Sequence, residues 1–230
     1  MSLTRKHPSI HSSNHPWDAC DCKPDLLKIY GLLYETYGSQ HWWPGDAPWE
    51  ICVGAVLTQN TNWGNVEKAI SNLKKGGNLC PVKIRNMPLS ELESAIRPSG
   101  YFRLKAQRLL AVTDWWLENV KDNRLRPKGK TLSFWRESIL NVKGVGPETA
   151  DSILLYCFNL PTFVIDAYTK RIMARHFGFK NDIGYRELQK FFMDNLPHDP
   201  ELFNEFHALF VRTAKEACRK SGCASNCPFS

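Results

Sequence analysis

A few stretches of the chain carry residue types whose spacing could do chemistry. The first is Lys143-Gly144-Val145-Gly146-Pro147-Glu148-Thr149. Two glycines flanking one aliphatic residue allow a sharp turn, and Pro147 suits a first helical position, where its missing N–H costs nothing. The free N–H groups of that helix start can point at an anion such as a phosphate. Lys143 adds a charge beside it and Val145 fills the gap between the flanking helices. Gly144, Gly146 and Thr149 complete a candidate contact surface for a nucleic-acid backbone. An ordinary turn between two helices often contains Gly as well, so this pattern alone reads either way.

The second stretch is centred on Asp166, which follows the apolar run Phe163-Val164-Ile165 and precedes a helix. That is the position of an N-cap, which Asp fills well. It also stands about 20 residues beyond the glycine turn, near enough to lie beside a strand gripped there. Lys170 and Arg171 follow it with positive charge. The third feature is aromatic. Trp42 and Trp43 are adjacent in a loop, and Trp63 lies on the apolar stripe of a helix. Indole faces hold flat, electron-poor rings by stacking and cation–π attraction. Trp63 equally suits a core, and the adjacent pair could anchor its loop.

The elements that must position these residues are helical. Leu26, Ile29, Leu33 and Tyr37 form one stripe, opened by Pro24 and closed by Gly38. An apolar segment runs over 49–57. A second stripe is Trp63, Val66, Ile70 and Leu73, ended by Gly76 and Gly77. Short and long helices follow over 89–96 and 101–120, then a charged loop over 121–130. Two helices surround the glycine turn within 133–158. One more starts near Ala167, and the last two span about 185–195 and 201–219. There is no convincing alternating strand, so the fold class is all-α. The spacing predicts a helical bundle over 45–155 that ends in the hairpin, and a second subdomain built from 23–44 plus 156–230. Residues 1–22, polar and rich in Ser, His and Pro, read as a poorly ordered leader.

The 230 residues are 43% apolar, enough for a real core, and 12% aromatic with eight Trp, which leaves some rings for a surface or pocket. The net charge of +7 favours a polyanionic partner, because each cation that meets a phosphate releases a counterion. No apolar run is long enough for a membrane span and no secretory core is present, so the expected setting is cytoplasmic, with reduced cysteines.

At this point the sequence resembles the endonuclease III, or helix-hairpin-helix, superfamily of DNA glycosylases, over about residues 25–220. The stretch Gly144 to Asp151 resembles its hairpin, and Val164-Ile165-Asp166-Ala167-Tyr168 resembles its catalytic motif. Trp42-Trp43-Pro44, the stretch Gly54 to Thr61, and Arg97-Pro98-Ser99-Gly100-Tyr101 are similar to the 3-methyladenine glycosylase branch. The resemblance implies base excision repair by a monomer acting on double-stranded DNA. A damaged base, such as an alkylated purine, is flipped out and its N-glycosidic bond hydrolysed. Asp166 stabilises positive charge on the sugar and positions the water. Trp42, Trp43 and Trp63 hold the base, and Gln59 is the wedge that fills the gap it leaves. Strand-cleaving relatives use a Lys in the hairpin to form an imine, and Glu148 stands at that position, which implies a monofunctional enzyme. A glycosylase/lyase for oxidised pyrimidines and a non-catalytic DNA binder are the alternatives.

Endonuclease III binds a [4Fe–4S] cluster through four Cys near its C-terminus. Here only Cys218, Cys223 and Cys227 cluster. The resemblance leaves Cys20 or Cys22 to supply a fourth sulfur, since both chain ends pack together in this superfamily. The expectation is no required cofactor and free thiols. His207 reads as a packed core residue.

Overall fold

The computed structural model describes residues 24–43 and 45–230. The expected leader, Cys20, Cys22 and Pro44 lie outside the described residues. Eleven α-helices are found among the described residues: α1 (Leu26–Tyr37), α2 (Pro48–Leu57), α3 (Trp63–Lys75), α4 (Pro81–Asn86), α5 (Leu89–Ala95), α6 (Phe102–Asn119), α7 (Leu132–Leu140), α8 (Pro147–Phe158), α9 (Ala167–His176), α10 (Tyr185–Asn195) and α11 (Pro200–Glu216). Two antiparallel hairpins of two-residue strands complete the fold: β1 (Val120–Lys121) with β2 (Arg124–Leu125), and β3 (Cys218–Arg219) with β4 (Gly222–Cys223). The class is all-α, as expected. None of these helices is long and apolar enough to cross a membrane.

Local chemistry explains the boundaries. Helix α1 begins at Leu26, two residues beyond Pro24, because the Asp25 carboxylate caps the N–H groups of Leu27 and Lys28 at 3.1 and 3.2 Å. Asn62, Thr131 and Asp199 cap α3, α7 and α11 in the same manner. The loop expected over 121–130 starts with the β1–β2 hairpin, whose turn puts Asp122 and Asn123 at positive φ. Helix α4 is one that periodicity missed, since six residues are too few to show a stripe. Helix α11 stops at Glu216, where the chain turns into β3.

Apolar side chains gather in two clusters. One collects Trp49, Val56, Leu73, Leu109, Trp116, Ile139, Val145 and Ile153 from α2 through α8. The other collects Leu26, Leu33, Leu155, Phe163, Ile172, Phe192, Phe206 and Phe210 from α1, the end of α8 and the helices beyond it. Helix α8 is the wall between them. Ala150, Ile153, Leu154 and Cys157 face the first cluster, while Leu155 and Tyr156 face the second. A helix buried on nearly every side is apolar around most of its circumference, and α8 is.

One polar residue on this wall is completely buried. Asp151 accepts from Arg136 Nε and Nη2 at 2.7 and 3.0 Å, Thr162 Oγ1 at 2.9 Å, Tyr185 Oη at 2.8 Å and Gln189 Nε2 at 2.8 Å. Those donors come from α7, from the 159–166 connector and from α10. Gln189 also donates to the Phe163 carbonyl at 2.8 Å, and Tyr185 Oη receives the Ile165 N–H at 3.4 Å. A buried charge is tolerable only when its lone pairs are filled this way, and removing it strands the guanidinium opposite. Asp151→Ala is therefore expected to cost about 3–5 kcal/mol in urea unfolding. A loss under about 1 kcal/mol would show that the network holds little.

Candidate functional site

The glycine turn joins α7 to α8. Gly144 has φ +88°, a conformation that side-chain-bearing residues rarely adopt, and a Cβ there would also strike the Arg108 side chain. Val145 is buried between the two helices, its N–H bonded to the Val142 carbonyl at 3.1 Å. Gly146 is the N-cap of α8, without a side chain to occupy the first-turn N–H groups, and Pro147 follows. Lys143, Gly144 and Gly146 are exposed, so the helix start faces solvent with its donors available to an anion. Thr149 lies beneath, buried, and its hydroxyl accepts from Gln59 Nε2 at 2.9 Å. Gln59 also reaches the Gly144 carbonyl at 3.3 Å, and Arg108 donates to Gln59 Oε1. The structure thus brings Gln59, in the loop after α2, onto the hairpin itself, with Arg108 as an anchor that sequence reasoning did not single out.

Asp166 caps α9, and the structure divides its two oxygens between tasks. Oδ1 accepts from the Thr169 N–H at 2.7 Å and the Thr169 hydroxyl at 2.9 Å. Oδ2 faces His207 Nε2 at 3.5 Å, within ion-pair range but long for a hydrogen bond. The residue is 9% exposed. Burial pushes its carboxyl up, but the facing His207 and the two Thr169 donors outweigh that, and the group sits below the ordinary range. It is therefore ionised at neutral pH.

His207, on α11, is buried, but its role is not packing alone. Its Nδ1 lies 2.6 Å from the Tyr156 hydroxyl. Burial, then the Asp166 charge, drive the Tyr156 phenol well above its usual pKa, so it keeps its proton and can donate it to Nδ1. With Nδ1 occupied in this way, Nε2 is the ring atom turned towards Asp166. Tyr156 and His207 gave no sequence signal, because each lies in an apolar helical run.

The aromatic residues meet beside this relay. Trp43 lies 4.9 Å from Tyr156 and makes an edge contact with Trp63 at 5.2 Å, while Trp42 packs on Trp43 at 5.6 Å. Gly54 on α2 permits the packing: a Cβ there would stand 3.3 Å from Trp63 and 3.4 Å from Trp43. The indole N–H of Trp43 has no hydrogen-bond partner among the described residues. A separate cleft of about 580 Å³ between α7 and α10 is lined by Arg136, Arg186 and Gln189 and does not reach Asp166.

Glu148, in the first turn of α8, lies on the same helix face as Tyr156 two turns on. Crowding by protein, then the Asp166 charge, raises its carboxyl to about 7, with His207 and Lys170 opposing. Its surface is still open to solvent, so screening tempers the effect. Lys170 and Arg171 are engaged elsewhere. Lys170 Nζ donates to the Ile183 carbonyl at 2.8 Å. Arg171 donates to the carbonyls of Cys218 and Ala214 at 3.0 and 3.2 Å and lies over Tyr168. Arg171 thus tethers the end of α11, where carbonyls lack helical partners.

The terminal cysteines do cluster, and His176, the last residue of α9, joins them. His176, Cys223 and Cys227 have their donor atoms within 4.8 Å of one another and could hold a metal ion.

Residues 53–198 match the HhH-GPD superfamily of base excision DNA repair proteins. A Methanocaldococcus jannaschii protein, provisionally named a DNA repair glycosylase (MJ1434), is 45% identical over 89% of this chain and 93% of its own length. Among solved structures, the H. pylori 3-methyladenine DNA glycosylase MagIII bound to 1,N6-ethenoadenine is 27% identical, with a TM-score of 0.69 over 84% of this chain and 98% of that one. An endonuclease III–DNA complex shares the fold at 20% identity, with a TM-score of 0.73 over 90% and 94% of the two chains. With the glycine hairpin and the carboxylate beyond it in place, this chain belongs to the HhH-GPD superfamily of base excision DNA repair proteins.

Proposed function

We propose that this DNA glycosylase is monofunctional and releases alkylated purines, such as 3-methyladenine, from double-stranded DNA, acting as a monomer. The observation that carries the reading is the continuity of the aromatic cluster with the carboxylate. Trp43 packs on Tyr156, Tyr156 bonds His207, and His207 faces Asp166. A flat ring stacked on the indoles would place its sugar towards Asp166. The likeness to the H. pylori enzyme supports the same substrate class.

In the proposed reaction the hairpin N–H groups hold a backbone phosphate, and Gln59 fills the space vacated by the extruded nucleotide. The glycosidic bond breaks towards the base, which leaves with the bonding electrons. An N3-alkylated adenine carries a positive charge, so it departs neutral and needs no proton. The charge left on the sugar faces ionised Asp166. Water then adds to the sugar carbon and its proton passes to Asp166 or to solvent. Glu148 has no amine with which to form an imine, and Lys170 is held by the Ile183 carbonyl.

Release of free 3-methyladenine from methylated duplex tests the reading. Wild type is expected to release it, and Asp166→Asn to be slower by at least about 100-fold. Asn also caps helices well, so melting of that variant should stay close to wild type. Equal release by both proteins would remove Asp166 from the mechanism. Borohydride should trap no covalent DNA adduct, and a trapped adduct would instead favour the lyase reading.

Glu148 supplies a pH test. Its pKa is about 7 folded against 4.5 for an ordinary Glu, so the neutral acid is favoured by folding. Its stabilising contribution is complete below 4.5 and is lost as the pH rises through about 7. Glu148→Gln should therefore gain stability relative to wild type between about pH 5 and about pH 8 in urea titrations. Parallel profiles for the two proteins would mean that Glu148 titrates as a solvent-exposed carboxyl.

A further inference from the structure

The resemblance to endonuclease III raises a [4Fe–4S] cluster, and the donor set can be tested for it. In a cubane each iron carries its own outward-pointing thiolate, so sulfurs of different cysteines stand roughly 6 Å or more apart. Here Cys218 Sγ and Cys223 Sγ are 3.9 Å apart. His176 Nε2 lies 3.5 Å from Cys218 Sγ, 3.3 Å from Cys223 Sγ and 3.9 Å from Cys227 Sγ. There is no room for a cubane among these atoms. Bonds of about 2.3 Å to sulfur and about 2.0–2.1 Å to nitrogen put the donors of a single tetrahedral ion roughly 3.5–3.8 Å apart. The donor atoms of His176, Cys223 and Cys227, all within 4.8 Å of one another, come near that spacing, and Cys218 Sγ lies beside two of them.

We propose that His176, Cys223 and Cys227 bind a single zinc ion and that Cys218, 3.9 Å from Cys223 Sγ, closes in as the fourth ligand of a mononuclear site. Three thiolates and one imidazole are soft and borderline donors in a tetrahedral set, which selects zinc over the hard divalent ions. The local fold is built for it. Cys218 and Cys223 are directly paired across the β3–β4 hairpin, so their side chains start from one rung. The Cys227 N–H bonds the Ala224 carbonyl at 3.0 Å, which folds the chain back, and Phe229 packs on His176 at 5.1 Å. Binding releases three thiol protons and leaves a net charge of −1. Arg175 stands ready to balance it: Nη1 lies 3.3 Å from Cys218 Sγ and 3.8 Å from Cys223 Sγ, and donates to the Arg219 carbonyl at 2.7 Å.

The site ties the last residue of α9 to the C-terminal loop. Asp166 caps the other end of the same ten-residue helix. Zinc would thus hold the far end of the element that carries the carboxylate, without touching substrate.

Elemental analysis of the full-length protein, purified from medium containing both zinc and iron, tests the proposal independently of any glycosylase activity. The expected result is one zinc per chain, no acid-labile sulfide and no brown colour. Replacement of zinc by cobalt should give the intense visible bands of a tetrahedral thiolate site. In chelator competition, Cys223→Ser and His176→Ala should weaken zinc binding by at least about 100-fold. Should either variant fail to fold, the stoichiometry and cobalt spectrum of the wild type decide. Four irons with sulfide, no metal above background, or zinc retained at full affinity by folded His176→Ala would each overturn the assignment.

Discussion

The arrangement of this molecule depends on one buried carboxylate being fully solvated by protein. Asp151 sits at the middle of the helix that separates the two apolar clusters, and its five hydrogen bonds reach α7, the connector over 159–166 and α10. The first of these partners belongs to the hairpin, and the last two also hold the chain leading to Asp166. One buried carboxylate therefore sets the distance between the turn that can grip a phosphate and the carboxylate beyond it. An apolar contact could not do this, because dispersion is not directional, whereas an unfilled lone pair in the core costs several kcal/mol.

Asp166 shows how a structural role and a chemical one coexist in a single side chain. One oxygen is consumed by the cap of α9 and is thereby fixed in position. The other is left to His207. Helix capping supplies the orientation that a reacting carboxylate needs, and the donors that make the cap also keep the group ionised against the cost of burial. Glu148 responds to the same surroundings in the opposite sense, because it has crowding and a negative neighbour without comparable donors. Two neighbouring carboxyls are thus driven apart in pKa, an arrangement common to sites that handle charge in a reaction.

Helix α9 links these ideas to the C-terminus. Its first turn is capped by Asp166, its middle is tethered by Arg171 to the end of α11, and its last turn offers His176 and Arg175 to the cysteine loop. A short helix has little stability of its own and takes it from what holds its ends. Here the supports are chemically distinct: a carboxylate, a guanidinium on carbonyls, and a cluster of sulfur and nitrogen donors.

Local information was enough for the helical class. Stripes such as Leu26-Ile29-Leu33, stops such as Gly76-Gly77 and the glycine turn before Pro147 depend only on neighbours in the chain, and periodicity exposes them. The composition likewise indicated a basic partner-binding chain, and the two motifs around Gly144 and Asp166 pointed to the family. Contacts between distant segments left no such trace. Tyr156 and His207 look like core residues, and only the packing of α8 against α11 turns them towards Asp166. Gln59 reads as a loop residue until Arg108 and Thr149 hold it on the hairpin. His176 lies 42 residues before Cys218, and no spacing rule couples a helix end to a loop so remote in sequence. Period and capping are properties of a few consecutive residues, so the chain states them outright; a site assembled across helices exists only once their packing has chosen which side chains meet.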